Sequence, residues 1–499
     1  MQPTDNSISH VVILGGGTAG WMAAAALAKG LNGQPTRITV IESEDIGIVG
    51  VGEATVPSIH AFNTLLGLST NAFMQRCQAT IKLGISFVDW GRKGQRYMHA
   101  FSPYGAGPQG AQFHRLWPKF AHEARARGET PDIDRYNIGA VAAFSGRFGR
   151  STDVPLNHAY HFDAALYGQY LRDYATQRGV TRIEGRVVSV AQNAETGFIE
   201  ALSLQSGDVI SGDFFIDCSG FTGVLIEGAL KTGYDSWAHW LPCDRAIAVP
   251  SELTDGIVPY TRSTAQDAGW IWRIPLQHRA GNGYVYASSY ISDDAAEARL
   301  LAQLDGPAVA APRRLRFTAG KRKQVWNRNC LALGLAAGFL EPLESTSIHL
   351  IQTSIFRLLS LFPDKDFNAA EIAEFNRQTS DEYENVRDFL IAHYKLGQRD
   401  ERFWTACADM PVPDRVSDIL ALFAANGRLT LRPEHLFSTN SWLAVLLGQG
   451  GLPAGYDPLL RPMPSGELAD RIQAMRRHID AVVRALPAYA PEATHVSAG

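Results

Sequence analysis

The sequence predicts an α/β fold, in which buried strands alternate with helices, followed by a mainly helical C-terminal region. Three observations support this prediction. An apolar run over residues 11–14 breaks at three glycines and is followed, over residues 21–28, by an alanine-rich stretch that favours a helix. A second apolar run over residues 37–41 has the same strand character. From residue 351 onward the pattern is helical, ending in an amphipathic helix over residues 467–486.

The glycines after the first strand form a dinucleotide fingerprint. Gly15, Gly17 and Gly20 fit the pattern G-x-G-x-x-G, with a strand before it and a helix after it. Such glycines permit a tight turn and a close approach of the backbone to a pyrophosphate at the helix N-terminus. Glu42 ends the second strand, about 20 residues further on, where an acidic side chain hydrogen-bonds a ribose hydroxyl. The alternative is a turn that binds nothing, but strand, helix and acid together favour a bound dinucleotide.

Length, charge and cysteine usage narrow the class of protein. A chain of 499 residues is too long for one simple core, so we expect two or three closely joined modules. A net charge of -4 gives no reason to expect nucleic acid or an anionic membrane as a partner. The five cysteines are scattered without metal-ligand spacing, which favours reduced thiols in a cytoplasmic protein and no metal site. We expect neither a signal peptide nor a membrane span, because no long uncharged apolar run occurs.

The next two segments have an unusual apolar character. Residues 47–57 are too rich in glycine for a regular element and too apolar for a solvated linker, so their backbone groups need partners that a bound cofactor can supply. Alternating apolar residues then predict one strand over residues 81–90, with Lys82 on the opposite face. Taken alone, this pattern favours a solvated lysine.

The middle of the chain predicts loops first and strands later. Residues 106–150 are irregular and rich in glycine, proline and arginine, and we expect loops there. A helix begins near Asp163, whose carboxylate can cap the first turn. Strands over residues 187–216 lead to the D-x-S-G sequence at 217–220, which also fits an ordinary turn.

Residues 244–292 are strand-like and rich in aromatic side chains. Alternation places Trp270, Trp272 and Ile274 on one face of their strand. Two tryptophans on one face suit a rigid aromatic wall, although an ordinary aromatic core strand explains them as well.

Four motifs together resemble the flavin-dependent tryptophan halogenase family. They are G-G-G-T-A-G-W at 15–21, G-V-G-E-A-T-V-P at 50–57, W-x-W-x-I-P at 270–275 and E-P-L-E-S-T at 341–346. The resemblance extends from Val11 to about Pro464 and implies an FAD-binding Rossmann-like module of the flavin monooxygenase type. That module would span residues 1–350, with an inserted substrate β-sheet at roughly 85–160 and 240–310. A helical substrate-capping region would span 351–499.

The resemblance also implies a two-component FAD-dependent halogenase. A separate flavin reductase would supply reduced FAD. Reduced FAD, oxygen and a halide ion, chloride or bromide, would together yield a hypohalous acid. This acid would halogenate a small electron-rich aromatic, such as indole or an indole derivative. Such a protein would be a monomer or a homodimer without nucleic-acid or membrane partners. The implied FAD contacts are Gly15, Gly17, Thr18, Ala19, Gly20, Glu42, Gly50, Ala54, Val187, Gly334 and Leu335.

Site residues carry over from the family by position. Lys82 and Glu344 match the catalytic lysine and glutamate, and Thr346 and Ser347 match the residues that hold halide. The implied substrate contacts are His99, Phe101, Phe437 and Trp272. Two positions depart from the pattern, since the better-known tryptophan branch has glycine where Ser347 stands and flavin monooxygenases commonly have aspartate where Leu335 stands.

The substrate loop departs as well. Family members that act on free tryptophan carry a tyrosine pair, a glutamate and F-W before their G-x-G-x-x-P sequence. Residues 431–442 contain no tyrosine pair, place Phe437 where the ring-stacking tryptophan would be, and have Glu434 as their one acid. We therefore expect free tryptophan to be a poor substrate, unless another loop within residues 106–150 rebuilds the contacts. A flavin-dependent hydroxylase and a non-catalytic FAD-binding protein are the alternative functions.

Overall fold

The structure, a computed structural model, describes residues 6–44, 52–106, 110–149 and 156–491. The chain forms two compact units, each assembled from three separate segments. The first unit comprises Met1–Ala79, Phe162–His239 and Phe317–Glu384, and the second comprises Thr80–His161, Trp240–Arg316 and Asn385–Gly499. Residues 80–161 and 240–316 of the second unit overlap the expected inserted sheet. The assignment of the two units to FAD and to substrate stays a prediction.

Helices are distributed over both units. Within the described residues they are α1 (Thr18–Gly30), α2 (Ile59–Leu66), α3 (Thr70–Arg76), α4 (Phe113–Ala126), α5 (Ile138–Phe144), α6 (Ala164–Thr176), α7 (Asp293–Ala302), α8 (Ser347–Ser360), α9 (Ala369–Lys395), α10 (Arg402–Asp409), α11 (Asp414–Asn426), α12 (Thr439–Gly448) and α13 (Ser465–Ala485). The predicted helical C-terminal region is confirmed by the last six of these helices, and α13 matches the expected amphipathic helix to within two residues.

Strands are short, and within the described residues all of them end before residue 340. They are β1 (His10–Leu14), β2 (Arg37–Glu42), β3 (Gly52–Ala54), β4 (Thr80–Lys82), β5 (Gly84–Val88), β6 (Arg96–Ala100), β7 (Ala159–Asp163), β8 (Thr181–Glu184), β9 (Val187–Gln192), β10 (Ile199–Leu204), β11 (Val209–Ser211), β12 (Phe214–Asp217), β13 (Tyr234–Ser236), β14 (Arg245–Ser251), β15 (Thr261–Gln266), β16 (Gly269–Pro275), β17 (Ala280–Tyr286), β18 (Arg313–Arg316), β19 (Gly320–Arg322), β20 (Trp326–Asn327), β21 (Cys330–Ala332) and β22 (Gly338–Phe339).

A six-stranded sheet forms the centre of the first unit. Its order is β20-β21-β12-β1-β2-β8, and every pair except β20–β21 is parallel. The first strand lies in the middle and is fully buried, as an unbroken apolar run requires in a parallel sheet. Helix α1 packs against α6 and α8. This arrangement confirms the predicted α/β fold with a Rossmann-like module.

Local capping in the first unit also follows the sequence. Asp163 is the N-cap of α6, and its carboxylate accepts hydrogen bonds from the amides of Ala165 and Leu166 at 3.0 and 3.2 Å. The expected cap is therefore confirmed. This unit also contains two small antiparallel sheets, β11-β10-β9 and β13-β19-β22.

A seven-stranded sheet dominates the second unit. Its order is β18-β14-β17-β16-β15-β5-β6, antiparallel except for the pair β15–β5. Strand β16 is buried along its whole length. The ring centroids of Trp270 and Trp272 lie 6.0 Å apart, which confirms that these side chains share a face.

The prediction of one strand over residues 81–90 is wrong. The chain forms β4 and β5, which belong to different sheets and are separated at Leu83. Leu83 donates its amide to the carbonyl of Pro259 at 2.8 Å and accepts from the amide of Phe101 at 3.0 Å, so its backbone bonds leave the β4 ladder. At Gly84 an added Cβ would overlap the carbonyl oxygen of His99, and glycine therefore permits the crossing into β5. Alternation of apolar residues cannot reveal such a change of partner.

The expectation of loops over residues 106–150 is also wrong for most of the described part of that stretch. It contains α4 and α5, joined through a short 3-10 turn at Ile133–Tyr136. Phe113, Leu116, Trp117 and Phe120 are buried on one side of α4, a helical period that the glycine and arginine content of the segment obscured. Pro118 lies inside this helix.

Gly50 and the other residues of the 45–51 stretch lie outside the described residues, so the predicted FAD contact there stays a prediction.

Other expectations concern membrane spans, metal sites and disulfides. Along the described chain, no helix is both long and apolar enough to cross a bilayer. The described residues contain no group of three or more histidine, cysteine or acidic side chains that could hold a metal ion. All five cysteines are free.

Candidate functional site

The glycine turn after β1 brings three backbone segments close together. Gly15 has a φ of +114°, and a Cβ there would overlap the carbonyl group of Cys218 at the end of β12. A Cβ at Gly20, in the first turn of α1, would overlap the carbonyl oxygen of Gly15. Both positions therefore require glycine for packing, as the fingerprint predicts.

Gly17 has a different environment. It is the N-cap of α1, and nothing lies within 4 Å of the place where its Cβ would be. The first turn of α1 contains no acidic residue, and no side chain at the N-cap position caps it. Open space beside uncapped helix amides fits a pyrophosphate group. The residues that would hold it are Gly17, Thr18, Ala19 and Gly20.

Glu42 lies next to this turn, as the fingerprint predicts. Its carboxylate is so close to Gly16 that a Cβ there would overlap it. One carboxylate oxygen accepts a hydrogen bond from the indole N–H of Trp21 at 3.1 Å, and the other forms an ion pair with Arg182. Each oxygen has a second lone pair, so the carboxylate can still accept from a ribose hydroxyl. Its role toward the ribose remains a prediction.

The second predicted FAD segment meets the first at the start of α1. Gly334 has a φ of +63°, and its absent Cβ leaves room for Ala19, whose methyl group would be only 2.8 Å away. Leu335 follows in a single 3-10 turn, Gly334–Ala336. Ala54 ends the short strand β3, where burial raises the pKa of the neighbouring Glu53 to about 7. Val187 opens β9, which belongs to a separate small sheet, and its expected FAD contact stays a prediction.

The predicted halide position is the N-terminus of α8. The chain passes through a 3-10 turn at Pro342–Glu344, turns at Ser345 with a φ of +60°, and enters the helix at Ser347 with Thr346 as N-cap. A serine at positive φ is strained, and such strain is often found at functional sites. The hydroxyl oxygen of Thr346 is buried and has no hydrogen-bond partner among the described residues. A buried, unsatisfied hydroxyl at a helix N-terminus fits an anion.

Glu344 is buried just before this helix, with 1% of its surface exposed. It belongs to the same turn as Thr346, so the first unit contains both the predicted catalytic carboxylate and the predicted halide residues. Ser347, the position that departs from the tryptophan branch, is half-buried as the first residue of α8.

Lys82 lies in the second unit and is completely buried, with 0% exposure. The expectation of a solvated lysine, which its sequence pattern favoured when taken alone, is therefore wrong. Its ammonium nitrogen lies 5.2 Å from the centre of the Phe101 ring, within the range of a cation–π interaction. Phe101 therefore lies beside the predicted catalytic lysine, and its contact with substrate stays a prediction.

A buried polar network adjoins Lys82 on the same strand. The hydroxyl of Thr80 donates to the carbonyl of Pro275 at 2.6 Å and lies 3.0 Å from Nδ1 of His161. Nε2 of His161 lies 2.9 Å from the hydroxyl of Thr261. Burial, followed by the positive charges of Lys82 and Arg273, lowers the pKa of His161 well below its ordinary value. His161 is therefore neutral and adds no second positive charge beside Lys82.

The expected substrate aromatics form one cluster in the second unit. The ring of His99 lies 6.2 Å from that of Phe437 and 5.6 Å from that of Phe389. Phe389 stacks on Phe437 with centroids 3.9 Å apart and an interplanar angle of 22°. One face of Phe437 is therefore already covered, and only its other face or its edge can meet a substrate ring.

Trp272 depends on the strand beside it. It lies opposite Gly283 on β17, where any Cβ would overlap the indole ring. The neighbouring Trp270 donates its indole N–H to the hydroxyl of Tyr394 at 3.1 Å. Both tryptophans are thus held rigidly, which fits the predicted aromatic wall.

Comparison with known proteins decides the family. A family model described as tryptophan halogenase matches residues 10–465 of the chain. The chain belongs to the tryptophan halogenase family. As a member of this family, it is an FAD-dependent halogenating enzyme, and the predicted resemblance is confirmed.

Relatives of this halogenase match it over nearly its whole length. Tryptophan 6-halogenase SttH from Streptomyces toxytricini is 36% identical over 489 residues, which cover 92% of each chain. A flavin-dependent halogenase from Xanthomonas campestris has a TM-score of 0.93 and 45% identity, with 97% of both chains covered. BrvH, a flavin-dependent halogenase from Brevundimonas sp. BAL3, has a TM-score of 0.92 and 45% identity, covering 97% of this chain and 98% of BrvH.

Sequence reasoning missed three residues of the halogenase that shape its second unit. Phe389 lies four residues before His393 on α9, and this helical spacing could have placed its side chain beside that histidine. Gly283 precedes a Y-V-Y run, and an isolated glycine within a strand suggests a close approach by another group. His161 carried no such signal, since its importance comes from partners that are distant in sequence.

Proposed function

We propose that this halogenase acts on indole, or on a larger indole- or phenol-containing molecule, in preference to free tryptophan. The observation that carries the proposal is the position of Glu434. It is the one acidic residue of the 431–442 stretch, and its side chain is exposed to solvent. The ammonium and carboxylate of a bound amino acid need charged or hydrogen-bonding partners once they are removed from water. Indole has no such charges and loses nothing in their absence.

The aromatic cluster supports a flat, neutral substrate. Phe389 and Phe437 present stacked apolar rings, and His99 packs against both. Aromatic rings attract one another at centroid separations of about 4.5–7 Å, and each such pair contributes about 0.5–1.5 kcal/mol beyond the area that it buries. A substrate ring that meets the edge of Phe437, or the face that Phe389 does not cover, gains this contribution without any charged contact.

The catalytic groups of the proposed reaction are Lys82 and Glu344. Reduced FAD, when bound, would give two electrons to molecular oxygen, and the oxygen so activated would oxidise halide to hypohalous acid with release of water. Thr346 and Ser347 hold the halide at the N-terminus of α8, where the helix dipole favours an anion. Lys82 holds the hypohalous acid by hydrogen bonding or carries its halogen. Glu344 polarises the acid or takes the proton that the aromatic ring loses on substitution.

A separate flavin reductase is the proposed partner. The sequence contains one dinucleotide fingerprint, at residues 15–20, and the proposed FAD site accounts for it. A nicotinamide cofactor would need a second site of this kind. Reduced FAD is therefore delivered in free form by another protein.

A direct comparison of substrates tests the proposal. Purified protein receives indole or L-tryptophan at equal concentration, with the same generic flavin reductase and the same halide, and halogenated product is quantified for each. We expect turnover with indole to exceed turnover with tryptophan by at least about tenfold, as one or two unpaired buried groups imply. A preference for tryptophan would contradict the proposed substrate class without affecting the family.

A further inference from the structure

The strand that carries Lys82 has one side without a neighbouring strand in the second unit. β4 pairs with β7 in antiparallel register, Thr80 opposite His161 and Lys82 opposite Ala159. In an antiparallel pair, only alternate residues direct their amides toward the partner strand. The amide of Ile81, between these two residues, is directed away from β7, because it donates to the hydroxyl of Tyr489 at 2.9 Å, 408 positions further along the chain.

Thr80 anchors the residue on the other side of Ile81 in β4. Its hydroxyl donates to the carbonyl of Pro275 at 2.6 Å and lies 3.0 Å from Nδ1 of His161. A hydroxyl has one hydrogen and two lone pairs. Because Thr80 donates to Pro275, it accepts from the Nδ1–H of His161, and Nε2 of His161 then accepts from the hydroxyl of Thr261. The start of β4 is therefore held by buried hydrogen bonds, and the Ile81–Tyr489 bond continues them toward Lys82.

The segment around Tyr489 is itself fixed in place. The amide of Tyr489 donates to the carbonyl of Gly146 at 2.8 Å, and the amide of Phe148 donates to that of Pro487 at 3.2 Å. Arg147 and Ala488 form a β-bridge, and the Arg147 guanidinium also donates to the carbonyl of Leu486. A side chain held by this many backbone contacts can define the position of the strand that it touches.

We propose that Tyr489 is a positioning residue for Lys82, an inference that rests on the catalytic role proposed above for that lysine. Lys82 pairs with Ala159 on β7, and its two chain neighbours form bonds outside that ladder, Ile81 with Tyr489 at 2.9 Å and Leu83 with Pro259 at 2.8 Å. Loss of the Tyr489 hydroxyl removes the first of these and leaves a buried amide without its acceptor. The ammonium group then samples a wider range of positions, and catalysis is sensitive to displacements of about 1 Å.

Tyr489→Phe tests the proposal, because it removes the hydroxyl and keeps the ring. We expect kcat for indole halogenation, per FAD-binding enzyme, to fall by about tenfold, with the KM for indole and the affinity for FAD unchanged. The matched control is Tyr174→Phe in the first unit, which removes another buried tyrosine hydroxyl that bonds the backbone. The Tyr174 hydroxyl donates to the carbonyl of Leu66 at 2.7 Å, whereas the Tyr489 hydroxyl accepts from the amide of Ile81. The control should lower stability by a similar amount and leave kcat unchanged.

A second measurement follows Lys82 without turnover. An amine-reactive reagent labels Lys82, and peptide mass spectrometry measures the labelling rate. This rate should rise by about tenfold in Tyr489→Phe and stay unchanged in Tyr174→Phe. Arg147→Met, which loosens the same segment without altering Tyr489, should change both kcat and labelling in the same direction. This variant keeps the test decisive if Tyr489→Phe does not fold.

Two different failures are distinguishable. If Lys82→Ala still halogenates, the proposed role of the lysine is wrong and the inference falls with it. If Lys82→Ala is inactive while Tyr489→Phe matches the wild type in kcat and in Lys82 labelling, the lysine keeps its role and Tyr489 is only a structural residue.

Discussion

At the scale of single residues, the two proposed catalytic side chains share complete or nearly complete burial. Lys82 has 0% and Glu344 has 1% of its surface exposed. Burial of an ionisable group costs several kcal/mol unless partners compensate for the lost hydration. A sequence that keeps a lysine and a glutamate in such positions gains nothing in stability by doing so, which favours a functional reason for both.

Lys82→Ala should abolish halogenation while FAD binding and the reoxidation of reduced FAD stay near wild-type values. The lysine belongs to the second unit, and the fingerprint belongs to the first. Product formation, flavin fluorescence and oxygen uptake are measured side by side. Halogenation at a substantial fraction of the wild-type rate would refute the assigned role.

Glu344→Gln should lower turnover by at least about a hundredfold, the usual range for loss of a catalytic acid or base. Glutamine keeps the size and much of the hydrogen bonding of glutamate, and it removes the ionisable carboxyl group. The N-cap of α8 is Thr346 and not Glu344, so we expect no loss of thermal stability. A lowered melting temperature with unchanged turnover per folded molecule would instead indicate a structural carboxylate.

At the scale of elements, the turn from β1 to α1 uses its glycines for two different purposes. Gly15 and Gly20 have no room for a Cβ because backbone atoms occupy it, whereas the space beside Gly17 is open. Gly17 also has a φ of -74°, which any residue adopts. Packing therefore explains the first two glycines, whereas Gly17 is left for its N-cap preference and for the proposed pyrophosphate.

Gly17→Ala should weaken FAD binding by at least about tenfold. The free energy of unfolding of the FAD-free protein should change by no more than about 0.5 kcal/mol. Alanine is a poorer N-cap than glycine, but it also reduces the entropy of the unfolded chain, and these two effects roughly offset each other. Gly20→Ala is the contrasting variant and should destabilise the protein with or without FAD. Melting curves and FAD titrations separate the two effects. Unchanged FAD affinity in Gly17→Ala would place the pyrophosphate elsewhere.

At the scale of the whole molecule, the chain divides its proposed chemistry between two units that are each discontinuous in sequence. The fingerprint, Glu344 and Thr346 belong to the first, and Lys82, His99 and the aromatic cluster belong to the second. The chain passes between the units several times, so neither can be removed by a simple truncation. The two sets of residues are best separated by point substitutions.

The purified protein should not oxidise NADH or NADPH without a reductase. One fingerprint is visible in the sequence, and the proposed FAD site uses it. Reduced nicotinamides absorb at 340 nm, so the loss of this absorbance measures their oxidation. It is followed with FAD, oxygen and halide present, first without and then with a generic flavin reductase. Consumption of NADH in the first condition would contradict the two-component proposal.

The sequence by itself determined the features that depend on neighbouring residues. The strand, glycine turn and helix at residues 10–30, the cap at Asp163 and the two tryptophans on one face of β16 all follow from local spacing, and the structure has each of them. Lys82 and Glu344 were identified from family motifs, and their roles stay proposals.

Only the tertiary structure decided the features that depend on distant partners. It divides residues 81–90 between two sheets because Leu83 bonds to Pro259 and Phe101, and it buries a lysine that its strand pattern would have placed in solvent. It covers one face of Phe437 with Phe389 and brings Tyr489 to the amide of Ile81. The physical reason is the same in each case: a hydrogen bond or a ring stack forms between groups separated by tens to hundreds of residues, and no local period encodes which distant group will be the partner.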